Sequence, residues 1–172
     1  MSIIKLVQAA TKAPKGVTDL RAASVVTDES ILALKSICKN DQQSIEDVSR
    51  YLLLDLTNRS AIVRLKSLSV IDALFFRSKL FRKEISTHIR LIAESAGFLA
   101  GKVIDCAVQR DALQHKVKEL LEMWDMHYGE FLPEIRALTR HMKEFLRLEM
   151  PDINVNPSSV NYVATSPNTP WR

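Results

Sequence analysis

The sequence predicts an all-α chain, and three observations carry that expectation. Apolar residues return every three or four positions through most of its length. The 4 Gly and 6 Pro fall at the ends and at a few junctions, so the interior offers long stretches without helix breakers. Hydrophobic residues make up 47% and charged residues 26%, the balance of a folded globular protein rather than a disordered one. A length of 172 residues suits one core and gives no reason to divide it.

The elements follow in order. Ile3, Ile4, Leu6, Val7 and Ala10 make a short opening helix, ended by Pro14, Lys15 and Gly16. Val17 to Val26 is mixed and is read as loop or partial helix. Thr27 and Asp28 offer N-cap oxygens to a second helix, whose buried stripe is Ile31, Leu34 and Cys38. Asn40 and Gln43 resemble a capping box for a third helix carrying Ile45, Val48, Leu52 and Leu56, which turns at Thr57, Asn58 and Arg59. Ser60 caps a fourth, in which Ile62, Val63, Leu65, Leu68, Val70, Ile71, Leu74 and Phe75 occupy nearly the whole circumference. A helix apolar all round is expected to be sandwiched between neighbours.

Ser78 restarts the chain into a fifth helix through Phe81, Ile85, His88, Ile89 and Ile92, fading near Gly97. Leu113, Val117, Leu120, Leu121, Trp124 and Tyr128 line a late helix ended by Gly129. Ile135, Leu138, Met142, Phe145 and Leu146 line the last, after Pro133. About seven or eight helices are thus expected over residues 1–150. Short connections and a sandwiched fourth helix make them a helical superhelix. Its core includes Leu34, Cys38, Leu65, Ile71, Phe75 and Trp124. Residues 151–172 turn to Pro, Asn, Ser and Thr, and are expected to be a flexible polar tail.

Catalytic and cofactor chemistry finds little support. Gly97 to Lys102 has the look of a phosphate loop, but it is one residue short and Val103 stands where the metal-binding hydroxyl belongs. None of His88, His115, His127 and His141 has a second His or Cys at the one-face spacing of a helical metal site. Cys38 and Cys106 read as small buried hydrophobes rather than activated thiols. The chain is therefore read as a non-enzyme needing no metal and no cofactor. A formal charge of +4 with a pI near 9.1 falls short of a dedicated nucleic-acid surface. The longest apolar stretch, broken by Asp72, is too short to span a bilayer. The expected compartment is reducing, nuclear or cytoplasmic, and the expected state is a monomer.

Basic residues gather at two turns. Arg59, Arg64 and Lys66 flank the start of the fourth helix, and Arg77, Lys79, Arg82 and Lys83 flank its end. Such groups on rigid turns suit an acidic partner, so Arg59, Arg64, Arg77, Lys79 and Arg82 are the candidate partner-binding residues.

A family resemblance sharpens this reading. Leu34, Ile37, Cys38 and Lys39 resemble the end of the second helix of VHS-type domains. Tyr51, Leu52, Leu53, Leu56 and Thr57, then Ile62, Arg64 and Leu65, then Phe76, Arg77, Ser78, Phe81 and Arg82, are similar in order and spacing to the N-terminal domains of the UV-stimulated scaffold protein A family. Trp124, Tyr128, Gly129 and Glu130, and later Phe145, Leu146 and Arg147, agree with it. The resemblance covers roughly residues 29–148.

That resemblance implies a VHS/ENTH-like right-handed superhelix serving as a docking module in transcription-coupled nucleotide excision repair. Its implied partners are the Cockayne syndrome A ubiquitin-ligase propeller and stalled RNA polymerase II, in the nucleus. The family's C-terminal domain is absent from these 172 residues, so the resemblance implies either a short isoform or part of a longer scaffold. Ala96 to Ala112 departs from the family's Pro-rich linker and is read as helical. Ile31 and Lys35 replace the Trp and Leu that ubiquitin-binding VHS domains carry, so any ubiquitin binding is expected to be weak. Two other readings share the fold: an endocytic adaptor for ubiquitin, sorting peptides or phosphoinositides, and a binder of the polymerase C-terminal repeat. An opening helix whose only cations are Lys5 and Lys12 argues against membrane docking.

Overall fold

The computed structural model describes residues 2–17, 19–39, 41–99 and 106–149. The expected tail, Asn40 and the second half of the Gly97–Lys102 stretch lie outside the described residues. Nine α-helices are present among the described residues: α1 (Ile3–Thr11), α2 (Leu20–Ala23), α3 (Asp28–Ile37), α4 (Gln42–Asp55), α5 (Ala61–Arg77), α6 (Lys79–Ser86), α7 (Ile89–Ser95), α8 (Ala107–Tyr128) and α9 (Pro133–Glu149). No strand occurs among these residues, and they stack as an all-α, VHS-like superhelix.

Helix starts follow local chemistry. The Thr27 hydroxyl accepts from Ser30 N–H, the Ser60 hydroxyl from Val63 N–H and the Ser78 hydroxyl from Phe81 N–H, each satisfying a donor that the first turn leaves free. The cap of α4 is Asp41 rather than Asn40. Its two carboxylate oxygens accept from the N–H and hydroxyl of Ser44, both at 2.7 Å. Those Ser44 bonds hold the Asp41 carboxyl below its ordinary value.

Two differences from the sequence reading have clear causes. The mixed segment holds the single-turn α2, capped by Asp19. The expected fifth helix is two, α6 and α7, broken at Thr87 and His88. Ser86 and Thr87 donate their hydroxyls back to the carbonyls of Lys83 and Glu84, which offers the last turn of α6 an alternative to continued helix. At the end of α7, Gly97 takes a φ of 80°. Phe98 N–H there reaches Ala93 C=O and Gly97 N–H reaches Glu94 C=O, the Schellman pattern that stops a helix. Phe98 is thereby driven into the core, edge-on to Phe145 of α9 at 5.6 Å.

Helix α5 is the centre of the stack. It packs against α1, α3 and α4 on one side and α6 and α8 on another, while α9 closes over α7 and α8. Leu65, Ile71 and Phe75 are buried along it, as are Leu34, Cys38 and Trp124 on its neighbours. All six expected core residues are therefore inside. Polar seams also run through the stack: Thr11 of α1 donates to Asp55 of α4 at 2.7 Å, and Lys66 of α5 donates to Lys12 C=O at 2.9 Å.

Ser49 of α4 stands apart, because its buried hydroxyl finds no hydrogen-bond partner among the described residues. Ser49→Ala removes that unsatisfied group at nearly constant volume, and is expected to stabilise the domain by about 1 kcal/mol. A denaturant midpoint below the parent's would overturn this.

Candidate docking surface

The five candidate cations divide into two kinds. Arg59 is exposed in the turn before α5, and Arg77 and Lys79 are exposed at the α5–α6 corner. Arg64 and Arg82 are instead used internally. The Arg64 guanidinium donates to Asn58 C=O and, at 3.2 Å, to Ser95 C=O, strapping the start of α5 to the end of α7. Burial pulls it below its ordinary value, although an arginine stays charged. Arg82 donates to Phe75 C=O at 2.6 Å and lies 4.0 Å over the Tyr128 ring, pinning α6 to α5 and α8.

The two clusters also fail to meet. They sit at the two ends of α5, a helix of 17 residues, which puts them about 25 Å apart along its axis. A single patch built from all five residues does not exist. At the α5–α6 corner the exposed cations border apolar surface. Phe76 is 38% exposed and Leu80 is 53% exposed there, and the Phe76 ring stands edge-on to His127 at 5.5 Å. Phe76, Arg77, Lys79 and Leu80 thus present two apolar groups beside two exposed charges, with Arg82 holding the turn in place.

An aromatic stack makes this corner rigid. Trp124 lies flat on Phe75 at 3.7 Å with 4° between the rings, and Tyr128 meets Phe75 edge-on at 5.5 Å. The indole N–H donates to Asp72 Oδ1 at 2.9 Å, so this tryptophan is a core residue with its polar edge satisfied. Burial raises the Asp72 carboxyl above its ordinary value, opposed by the indole hydrogen bond and by Lys116 at 3.9 Å.

The remaining chemistry-bearing residues stay apart. Among the described residues no three His, Cys, Asp or Glu side chains gather where a metal could bind. His88 and His115 each lie near a glutamate one turn away on an exposed face. Cys38 is buried, and burial pushes its thiol up to about 11, which keeps it protonated and unreactive at neutral pH. Cys106 is exposed, contrary to the buried position expected of it. It precedes the first turn of α8, where Ala107 and Val108 also face outward, so apolar neighbours in sequence did not mean a buried site. Ile31 is buried and Lys35 half-buried on α3. No helix among the described residues is long and apolar enough to cross a membrane.

Comparison with known proteins points one way. The family model of the UVSSA N-terminal domain matches residues 17–146, from just before α2 to near the end of α9. A UV-stimulated scaffold protein A homolog of Arabidopsis thaliana is 29% identical over 160 residues, covering 92% of this chain and 23% of that protein. UV-stimulated scaffold protein A of Mus musculus is 25% identical over 136 residues, covering 77% of this chain and 19% of that protein. The chain thus spans about a fifth of the length of the curated relatives it matches.

Proposed function

Because the chain belongs to the UVSSA N-terminal domain family, we propose that it is a non-catalytic docking module of a nuclear DNA-repair scaffold. In this reading it binds the Cockayne syndrome A-type ubiquitin-ligase subunit beside RNA polymerase II stalled at damage, in transcription-coupled nucleotide excision repair. The family match from α2 through most of α9 carries the reading. The scaffold names of the relatives agree with a role in holding proteins together.

The α5–α6 corner is the surface assigned to that docking. Phe76 and Leu80 supply apolar area that gains from burial, while Arg77 and Lys79 supply charges at the rim. Rim charges act mainly on encounter, through screened attraction to an acidic partner. Arg77→Glu with Lys79→Glu is therefore expected to slow association with the purified ligase subunit about tenfold at low salt, and less at high salt. Arg82 is left intact in this test because its loss would loosen the corner itself. Stopped-flow or surface binding rates equal to the parent's at low salt would move the docking surface elsewhere. Retention of clathrin-adaptor components in place of the ligase subunit would favour the endocytic reading.

A further inference from the structure

The outward face of α9 carries a row of cations that the proposed docking does not use. Arg136, Arg140, Lys143 and Arg147 recur at i, i+4, i+7 and i+11, which sets them along one side of the helix. They border a cleft of about 400 Å³ together with Asp125 and Glu144. The acids of the α8–α9 seam are already engaged. Asp125 Oδ1 lies 3.3 Å from Arg136 Nε, and Glu122 holds Lys118 at 2.8 Å and Lys143 at 3.8 Å. Arg140 and Arg147 are exposed and make no ion pair among the described residues. Between them only Glu144 opposes two guanidiniums.

We propose that this α9 face is a second docking surface, which takes an extended Asp/Glu-rich segment of a partner protein. Spacing and charge both favour that occupant. Arg140 and Arg147 are two helical turns apart, about 10 Å along the axis. A peptide in the extended polyproline II form makes one turn and advances about 9 Å in three residues, so acids at every third position share one face and meet both guanidiniums. A guanidinium takes a carboxylate with two parallel hydrogen bonds, and these two stand on a helix packed against α7 and α8, so little ordering is required. A nucleic-acid strand fits less well. It carries charge at every step and would run along Glu122, Asp125 and Glu144, whereas spaced carboxylates can avoid them. Residues 151–172 hold one acid, Asp152, and so do not supply the segment from this chain. The surface lies on helices other than α5 and α6, and the inference does not rest on the corner described above.

The test is fluorescence anisotropy at low salt with a labelled Glu-Ser-Ser repeat peptide of about twelve residues, long enough in extended form to span the row. The Gln-Ser-Ser peptide and a single-stranded oligonucleotide of equal charge serve as comparisons. The parent is expected to bind the Glu peptide about tenfold or more tighter than the Gln peptide. Arg140→Glu with Arg147→Glu should abolish that difference with an unchanged circular-dichroism melt, and Arg77→Glu with Lys79→Glu should leave it intact. If the reversals lower the melt, Arg140→Gln with Arg147→Gln must still weaken the Glu peptide. Equal binding of the Glu and Gln peptides by the parent overturns the proposal. So does undiminished binding by the arginine variants, or tighter binding of the oligonucleotide through the same arginines.

Discussion

Cys38→Arg is expected to unfold the domain. Cys38 ends α3 at 1% exposure, its N–H bonded to Leu34 C=O at 3.0 Å, inside the cluster shared by α1, α3 and α5. An arginine there must either bury an uncompensated charge or force the helices apart, since the site is closed off from solvent inside a packed core. The cost is about 3 kcal/mol or more, a large part of the stability of an ordinary domain. Cys38→Ala separates the charge from the thiol: it loses one buried atom and should cost only about 1 kcal/mol. Circular-dichroism melts decide between them. An arginine variant that melts with the parent would show that this end of α3 yields easily. A thiol reagent on the native protein should modify exposed Cys106 well before Cys38, whose thiol stays protonated.

Local features were legible in the sequence, and long-range ones were not. The caps Thr27, Ser60 and Ser78 could be read because a hydroxyl three residues before a free N–H is a matter of spacing. The core could be read because burial follows the 3.6-residue period, and Leu34, Leu65, Ile71, Phe75 and Trp124 all lie on it. The break between α6 and α7 could not, since the apolar stripe runs through it unbroken while the hydroxyls of Ser86 and Thr87 end the helix. The docking cations show the same division. Their sequence positions beside two turns were plain. That Arg64 reaches Ser95 and Arg82 reaches Tyr128 depends on side chains crossing to helices far along the chain. The cationic row on α9 has a helical period that spacing alone discloses, but which of its members are paired depends on where α8 places Glu122 and Asp125.

Trp124→Ala should be as damaging as any uncharged substitution in the domain. The indole is wholly buried, stacked on Phe75 and bonded to Asp72, so its removal leaves a cavity and takes the indole donor from a part-buried carboxylate. Loss of a buried Trp costs about 3–5 kcal/mol, which lowers the melting temperature by about 10 °C in a domain of this size. Trp124→Phe separates the two contributions. It keeps an aromatic ring on Phe75 but removes the N–H from Asp72, at a cost of about 1–3 kcal/mol. That cost should depend on pH with a definite sign. Burial raises the folded-state pKa of Asp72, so the ionised carboxylate is the disfavoured form, and the indole bond and Lys116 are what support it against Glu119. Stability from a raised carboxyl is full below its unfolded pKa and falls as pH rises through the folded value. Without the indole donor the folded value rises further, so the gap between Trp124→Phe and the parent should be widest at neutral pH. It should narrow on acidification, as Asp72 takes up its proton. Denaturant midpoints measured at neutral and at acidic pH test this, and a gap that stays constant would show that the indole contributes packing alone.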